Sequence, residues 1–166
     1  MPIEGKRDQK NGARSFKLQS SFELLIMLAF GLSVLIPIVV FAFIQISNAN
    51  SSLAAIGAQQ AASKLASTAT LVGSEGSPAK QIIQVYVPAG VQYIYVGTLN
   101  NGIGHVVVFE VRSAAGLSYI TAYTPQNITG NLNSVASSGT YLINVSAQSS
   151  CPFHAQIPCV YISPVV

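Results

Sequence analysis

One uninterrupted apolar run constrains this chain more than any other feature. From Phe22 to Ile46 the only polar or helix-disfavouring residues are Glu23, Gly31, Ser33, Pro37 and Gln45. About 20 consecutive apolar residues suffice to cross the hydrocarbon core of a bilayer as one helix. Directly before the run stand Lys6, Arg7, Lys10, Arg14 and Lys17, against Glu4 and Asp8. Basic residues flanking an apolar helix stay on the cytoplasmic side. The reading is therefore an inserted helix, its N-terminus inside and everything after it outside.

The charge balance supports that division. The chain carries a net charge of +3, and all of it falls within residues 1–18. The remainder balances Lys64, Lys80 and Arg112 against Glu23, Glu75 and Glu110. A local basic tail of this kind is no nucleic-acid stripe, and no nucleic-acid partner is expected. Only 8% of the residues are charged and 50% are hydrophobic, whereas a soluble domain carries about 25% charged residues. Much of this surface is expected to be covered by lipid, sugar or neighbouring subunits.

Four regions follow in order. Residues 1–18 are polar, lack periodicity and read as a disordered cytoplasmic leader. Residues 19–72 read as a hydrophobic helix with a kink at Pro37, where a backbone hydrogen bond is lost. Its later part is rich in Ala and Ser, with Leu53, Ile56, Ala61, Leu65 and Ala69 recurring at helical spacing, Gly57 as a weak point and Lys64 as the one charge. Small residues allow close approach, so this part is expected to pack on other helices; a plain linker is the alternative. Residues 73–80, containing Gly73, Gly76 and Pro78, read as a helix stop and linker.

Residues 81–166 alternate with the period of strands. Candidate strands are Gln81–Val87, Val91–Val96, His105–Val111, Leu117–Tyr123 and Tyr141–Val145, with a weaker segment around Leu132 and Val135 and a last strand at Val160–Ile162. Pro88-Ala89-Gly90, Asn100-Asn101-Gly102 and Ala114-Ala115-Gly116 supply the turns, and Pro125 to Gly130 reads as another. The expected fold class is α+β: a long N-terminal helix followed by a small antiparallel β-sandwich head.

Cys151 and Cys159 close a short loop in a region expected to be exported, so a disulfide is the expected state. His154 lies between them, but two Cys and one His leave a four-coordinate zinc shell one ligand short. Catalytic material is sparse. The only Asp is Asp8, in the leader, so the head cannot build a Ser/His/Asp arrangement. No G-x-S-x-G, P-loop or H-E-x-x-H motif occurs. Neither enzymatic activity nor a cofactor is expected. His105 and the seven tyrosines fit strand faces. Three sequons, at Asn50, Asn127 and Asn144, are candidate N-glycosylation sites. Asn127, after Pro125, is expected in a turn and is the best placed; Asn144 falls in a strand; Asn50 falls on the helix, partly covered by neighbours.

The junction Lys17-Leu18-Gln19-Ser20-Ser21-Phe22-Glu23 resembles the class III signal peptide of archaeal type IV pilin-like proteins. The resemblance rests on the basic leader, on Gln19, Ser21 and Glu23 at mature positions one, three and five, and on the apolar helix that follows at once. The residue before the cut, usually Gly or Ala in that family, is Leu18 here. The resemblance implies cleavage between Leu18 and Gln19 by a prepilin peptidase, then transfer from the membrane through a pilus assembly platform into a helical homopolymer built on residues 19–72. It also implies that Glu23 pairs with the new Gln19 amine of a neighbouring subunit, the head being displayed on a cell-surface filament, where it would carry any adhesion. A carboxylate reaching the headgroups from a helix N-terminus needs no such partner. Three other readings stand beside this one: a monomeric membrane-anchored binding protein with an extracellular β-sandwich, an uncleaved anchor, and a secretory signal cut after Ala49. The last has an apolar core longer than the usual 7–15 residues.

Overall fold

The computed structural model describes residues 9–99, 102–113, 116–152 and 157–165, with side chains from Ser21 onward. A single helix α1, Gln9–Glu75, is followed by strands β1 (Lys80–Val87), β2 (Val91–Val96), β3 (Gly104–Ser113), β4 (Gly116–Gly130), β5 (Gly139–Gln148) and β6 (Cys159–Pro164), with a 3-10 turn at Asn133–Val135. The fold is α+β. The chain divides into two compact units, one ending at Ile46 and one spanning Ser47–Val166. The second therefore takes in the last part of α1 together with the sheet.

In the first unit the backbone is already helical from Gln9, so residues 9–18 are helical where the sequence reads as structureless. The helix runs on through Pro37. Every side chain from Ser21 to Ile46 is exposed, among them Phe22, Leu28, Phe30, Phe41 and Phe43. This helix is long and apolar enough to cross a membrane.

In the second unit the helix has two faces. Ala58, Ala61, Ala62, Leu65, Ala66, Ala69 and Val72 are buried and recur at intervals of three and four, one stripe of an α-helix. The small alanines allow the helix to lie close to the strands, and Leu65 and Val72 are the larger side chains buried in the same stripe. Gly57 has a packing reason too: a Cβ there would meet the Pro88 side chain at 3.3 Å. The helix stops where Gly76 takes a positive φ of 75° and its N–H donates to the Val72 carbonyl at 3.2 Å, a left-handed cap that glycine adopts without strain.

The strands form one six-stranded sheet in the order β1-β5-β6-β4-β3-β2, not the two-sheet sandwich expected. All neighbours are antiparallel except β4 and β6. The helix is the second layer. The inner face presents Ile83, Val85, Val87, Ile94, Val96, Val107, Phe109, Val111, Ile143, Val145, Val160 and Ile162, all buried in one core with the helix stripe. Strand alternation states that one face is buried; it does not state whether a sheet or a helix covers it.

Topology also bends the sheet. β1 and β2 are opposite edges, about 24 Å apart were six strands laid flat at about 4.8 Å spacing. Yet only Pro88-Ala89-Gly90 joins Val87 to Val91, a link that reaches at most about 14 Å. The sheet must therefore curl until its edges converge at that end, its concave side on the helix. Two hydrogen bonds fasten the layers: Lys64 Nζ donates to the Gln84 carbonyl at 2.8 Å, and Thr70 and Thr124 share one of 2.8 Å between their hydroxyls.

Candidate functional site: the helix and its uncovered faces

The sheet covers only one stripe of α1. Opposite it, Leu53, Ile56, Gln60, Ser63, Ser67, Leu71 and Ser74 form an exposed, uncharged stripe at the same helical spacing. The sequence reading grouped Leu53 and Ile56 with Ala61, Leu65 and Ala69 as one surface for other helices. The structure separates them: Ala61, Leu65 and Ala69 belong to the head's own core, and Leu53 and Ile56 stay outside. The two sets differ by half a helical turn, which a count of apolar residues does not resolve. Lys64, the one charge between Leu53 and Ser74, does not interrupt the outer stripe, because its ammonium is drawn onto the β1 backbone.

Gln19 and Glu23 lie on continuous helix, four residues and so about one turn apart. The side chains of Leu18 and Gln19 lie outside the described residues; Glu23 is exposed. A carboxylate at this position, between a basic flank and an apolar run, needs headgroups or a cation to keep it stable in a membrane. The structure brings no second described charge to it.

Cys151 and Cys159 are joined by a disulfide, with Cα atoms 5.6 Å apart, and both are buried. The bridge ties the start of a loop to the first residue of β6, and Cys151 N–H donates to the Ile157 carbonyl at 3.0 Å. His154 lies outside the described residues.

The sequons fall in three different settings. Asn50 is on the helix and exposed. Asn127 is not in a turn: β4 continues past Pro125 to Gly130, and Asn127 is half-buried beside the fully buried Ile128 and Thr129. Pro125 is tolerated because the β3–β4 ladder is irregular between the Val106–Tyr123 and Gly104–Ile128 pairs, where a missing N–H breaks no bond of the ladder. Asn144 lies in β5 on the convex face, half-buried, and its Oδ1 has no hydrogen-bond partner among the described residues.

A feature the sequence could not assemble lies on that same convex face. Register sets Tyr93, Glu110 and Tyr119 side by side on β2, β3 and β4, with Tyr95 and Val108 in the next row. The Tyr93 and Tyr95 rings stack with centroids 6.0 Å apart. The Tyr95 phenol is held above its usual pKa by partial desolvation and then by the neighbouring Glu110 carboxylate. Period-2 alternation placed these tyrosines on strand faces, but only the strand order makes them neighbours.

The cleft between helix and β1 is lined by Gly57, Gln60, Ala61, Lys64, Gln84, Val85, Tyr86 and Thr140, and its one charged group is Lys64, already bonded. Neither a protein-family model, nor a curated protein, nor a solved structure matches the chain.

Proposed function

We propose that this chain is a structural subunit of an archaeal type IV pilus-like surface filament, with no enzymatic role. The observation that carries the reading is the unsatisfied helix: residues 21–46 expose every side chain, and between Leu53 and Ser74 the head covers one stripe and leaves the opposite one bare. Apolar surface in water costs about 25 cal/mol per Å², so such a helix requires lipid, and outside lipid it requires other helices. Copies of itself supply both uncovered surfaces with like partners.

In this reading the precursor inserts with its basic leader in the cytoplasm. A prepilin peptidase cuts before Gln19, which removes all of the net positive charge carried by residues 1–18. The new amine then stands about one helical turn from Glu23. In a low-dielectric bundle, an amine and a carboxylate from adjacent subunits neutralise each other and set the axial register of one helix against the next. An assembly platform extracts the helix from the membrane into that bundle, and the heads form the outer wall, stiffened by the disulfide near the C-terminus.

The test is Glu23→Ala in the native host. The variant is expected in the membrane fraction at normal level, with the sheared surface fraction depleted of it by more than tenfold. Normal filaments built from the variant would remove Glu23 from the mechanism.

A further inference from the structure

We infer that the convex face of the sheet is a self-complementary contact through which the head of one copy pairs with the head of another. β3 points Val106, Val108, Glu110 and Arg112 to this face, since Val107, Phe109 and Val111 are buried on the other side. The β3–β4 register sets Glu110 beside Tyr119 and Arg112 beside Leu117. All four are off the core: Tyr119 is 61% and Leu117 48% exposed, Arg112 is exposed and Glu110 half-exposed.

Consider a two-fold axis between those two rows, lying in the contact plane and perpendicular to the strands. It reverses strand direction and keeps each strand opposite itself. One operation then sets Glu110 on Arg112 of the second copy and Tyr119 on its Leu117, and repeats both contacts in reverse. Charge meets opposite charge and apolar meets apolar in both rows, which is what an isologous interface demands. The arginine is suited to this seat, because its planar guanidinium stacks on aromatic rings while it bonds a carboxylate. Tyr93, on the far side of Glu110, supplies a further ring.

Because the face is convex, the contact is confined to the neighbourhood of β3 and β4. It falls well short of the roughly 800 Å² per partner of a stable complex, so a lone pair is weak. Along a polymer the same contact repeats at high effective concentration and becomes lateral bundling of filaments; that consequence rests on the function proposed above, whereas the pairing itself does not.

The test uses the detergent-solubilised full chain, so that its outcome is separate from filament formation. Sedimentation at low ionic strength is expected to show a reversible dimer that weakens in about 1 M salt, where screening acts within about 3 Å. Glu110→Arg and Arg112→Glu are each expected to weaken the dimer at least tenfold, by placing like charges opposite one another. The double variant Glu110→Arg/Arg112→Glu is expected to restore it to within about threefold of the original. Thermal unfolding of each variant checks that the head is intact, both positions being on the surface. Absence of a dimer in the unmodified chain, indifference of the dimer to the single variants, or failure of the double variant to recover would each overturn the inference.

Discussion

The two halves of α1 end in opposite conditions. Residues 21–46 bury nothing; residues 58–72 bury a full stripe of alanines with Leu65 and Val72. The difference is not hydrophobicity, since the first half is far more apolar. It is the presence of a covering layer: the second half sits against a sheet whose inner face is itself incomplete without it. The second unit can thus close its own core, whereas the first remains a surface awaiting lipid or other helices.

The comparison is broken most violently by a charge. Leu65→Asp buries a carboxylate in the head's core, where Leu65 is fully buried; an unpaired buried charge costs several kcal/mol, enough to abolish a marginally stable head. Ser67→Asp, two residues on and facing out, is expected to leave head stability within about 0.5 kcal/mol. Thermal unfolding followed by circular dichroism separates them. If both variants melt alike, the assignment of faces is wrong.

The disulfide gives a smaller effect, confined to the second unit. Closing so short a loop restricts the unfolded chain by about 2–3 kcal/mol. Replacing both Cys151 and Cys159 by serine is expected to lower the head's melting temperature accordingly while membrane insertion of residues 21–46 is unaffected. Fractionation together with calorimetry reads both.

Steric crowding tests the alanine stripe more gently. Ala69→Leu forces bulk between helix and sheet and is expected to cost about 1–3 kcal/mol. Ser63→Leu on the outer stripe adds the same bulk to open space and is expected to cost nothing measurable. Equal losses in chemical denaturation would mean that both stripes are packed within the single chain.

Much of this architecture was legible in the residues. The membrane-competent helix, the positions of β1, β2, β3, β5 and β6 and the cysteine pair follow from local chemistry; the helix stop expected from Gly73 onward falls three residues later, since the helix runs to Glu75. What sequence could not carry were decisions that depend on a partner. An alanine stripe fits a neighbouring helix or a sheet equally well, so Ala61, Leu65 and Ala69 were read outward when their partner lies in the same chain. Alternation in β1 and β3 announces one buried face but names no cover, hence a sandwich was expected where one curled sheet wraps a helix. Pro125 reads as a turn until the irregular register around it is known, and that moved Asn127 from an open turn to a crowded strand. The Tyr93–Glu110–Tyr119 row needed strand order. Glu23 is legible from sequence alone, because a carboxylate at the start of so long an apolar run is conspicuous in any fold.

The central claim, that the bare half of α1 is completed by copies of itself after the leader is removed, can be met by one measurement. The protein is taken from filaments sheared off the cell surface and its N-terminal residues are sequenced. The account predicts a chain that begins Gln19-Ser20-Ser21-Phe22-Glu23. A chain that still carries Met1–Leu18 and is found only in the membrane fraction would contradict it.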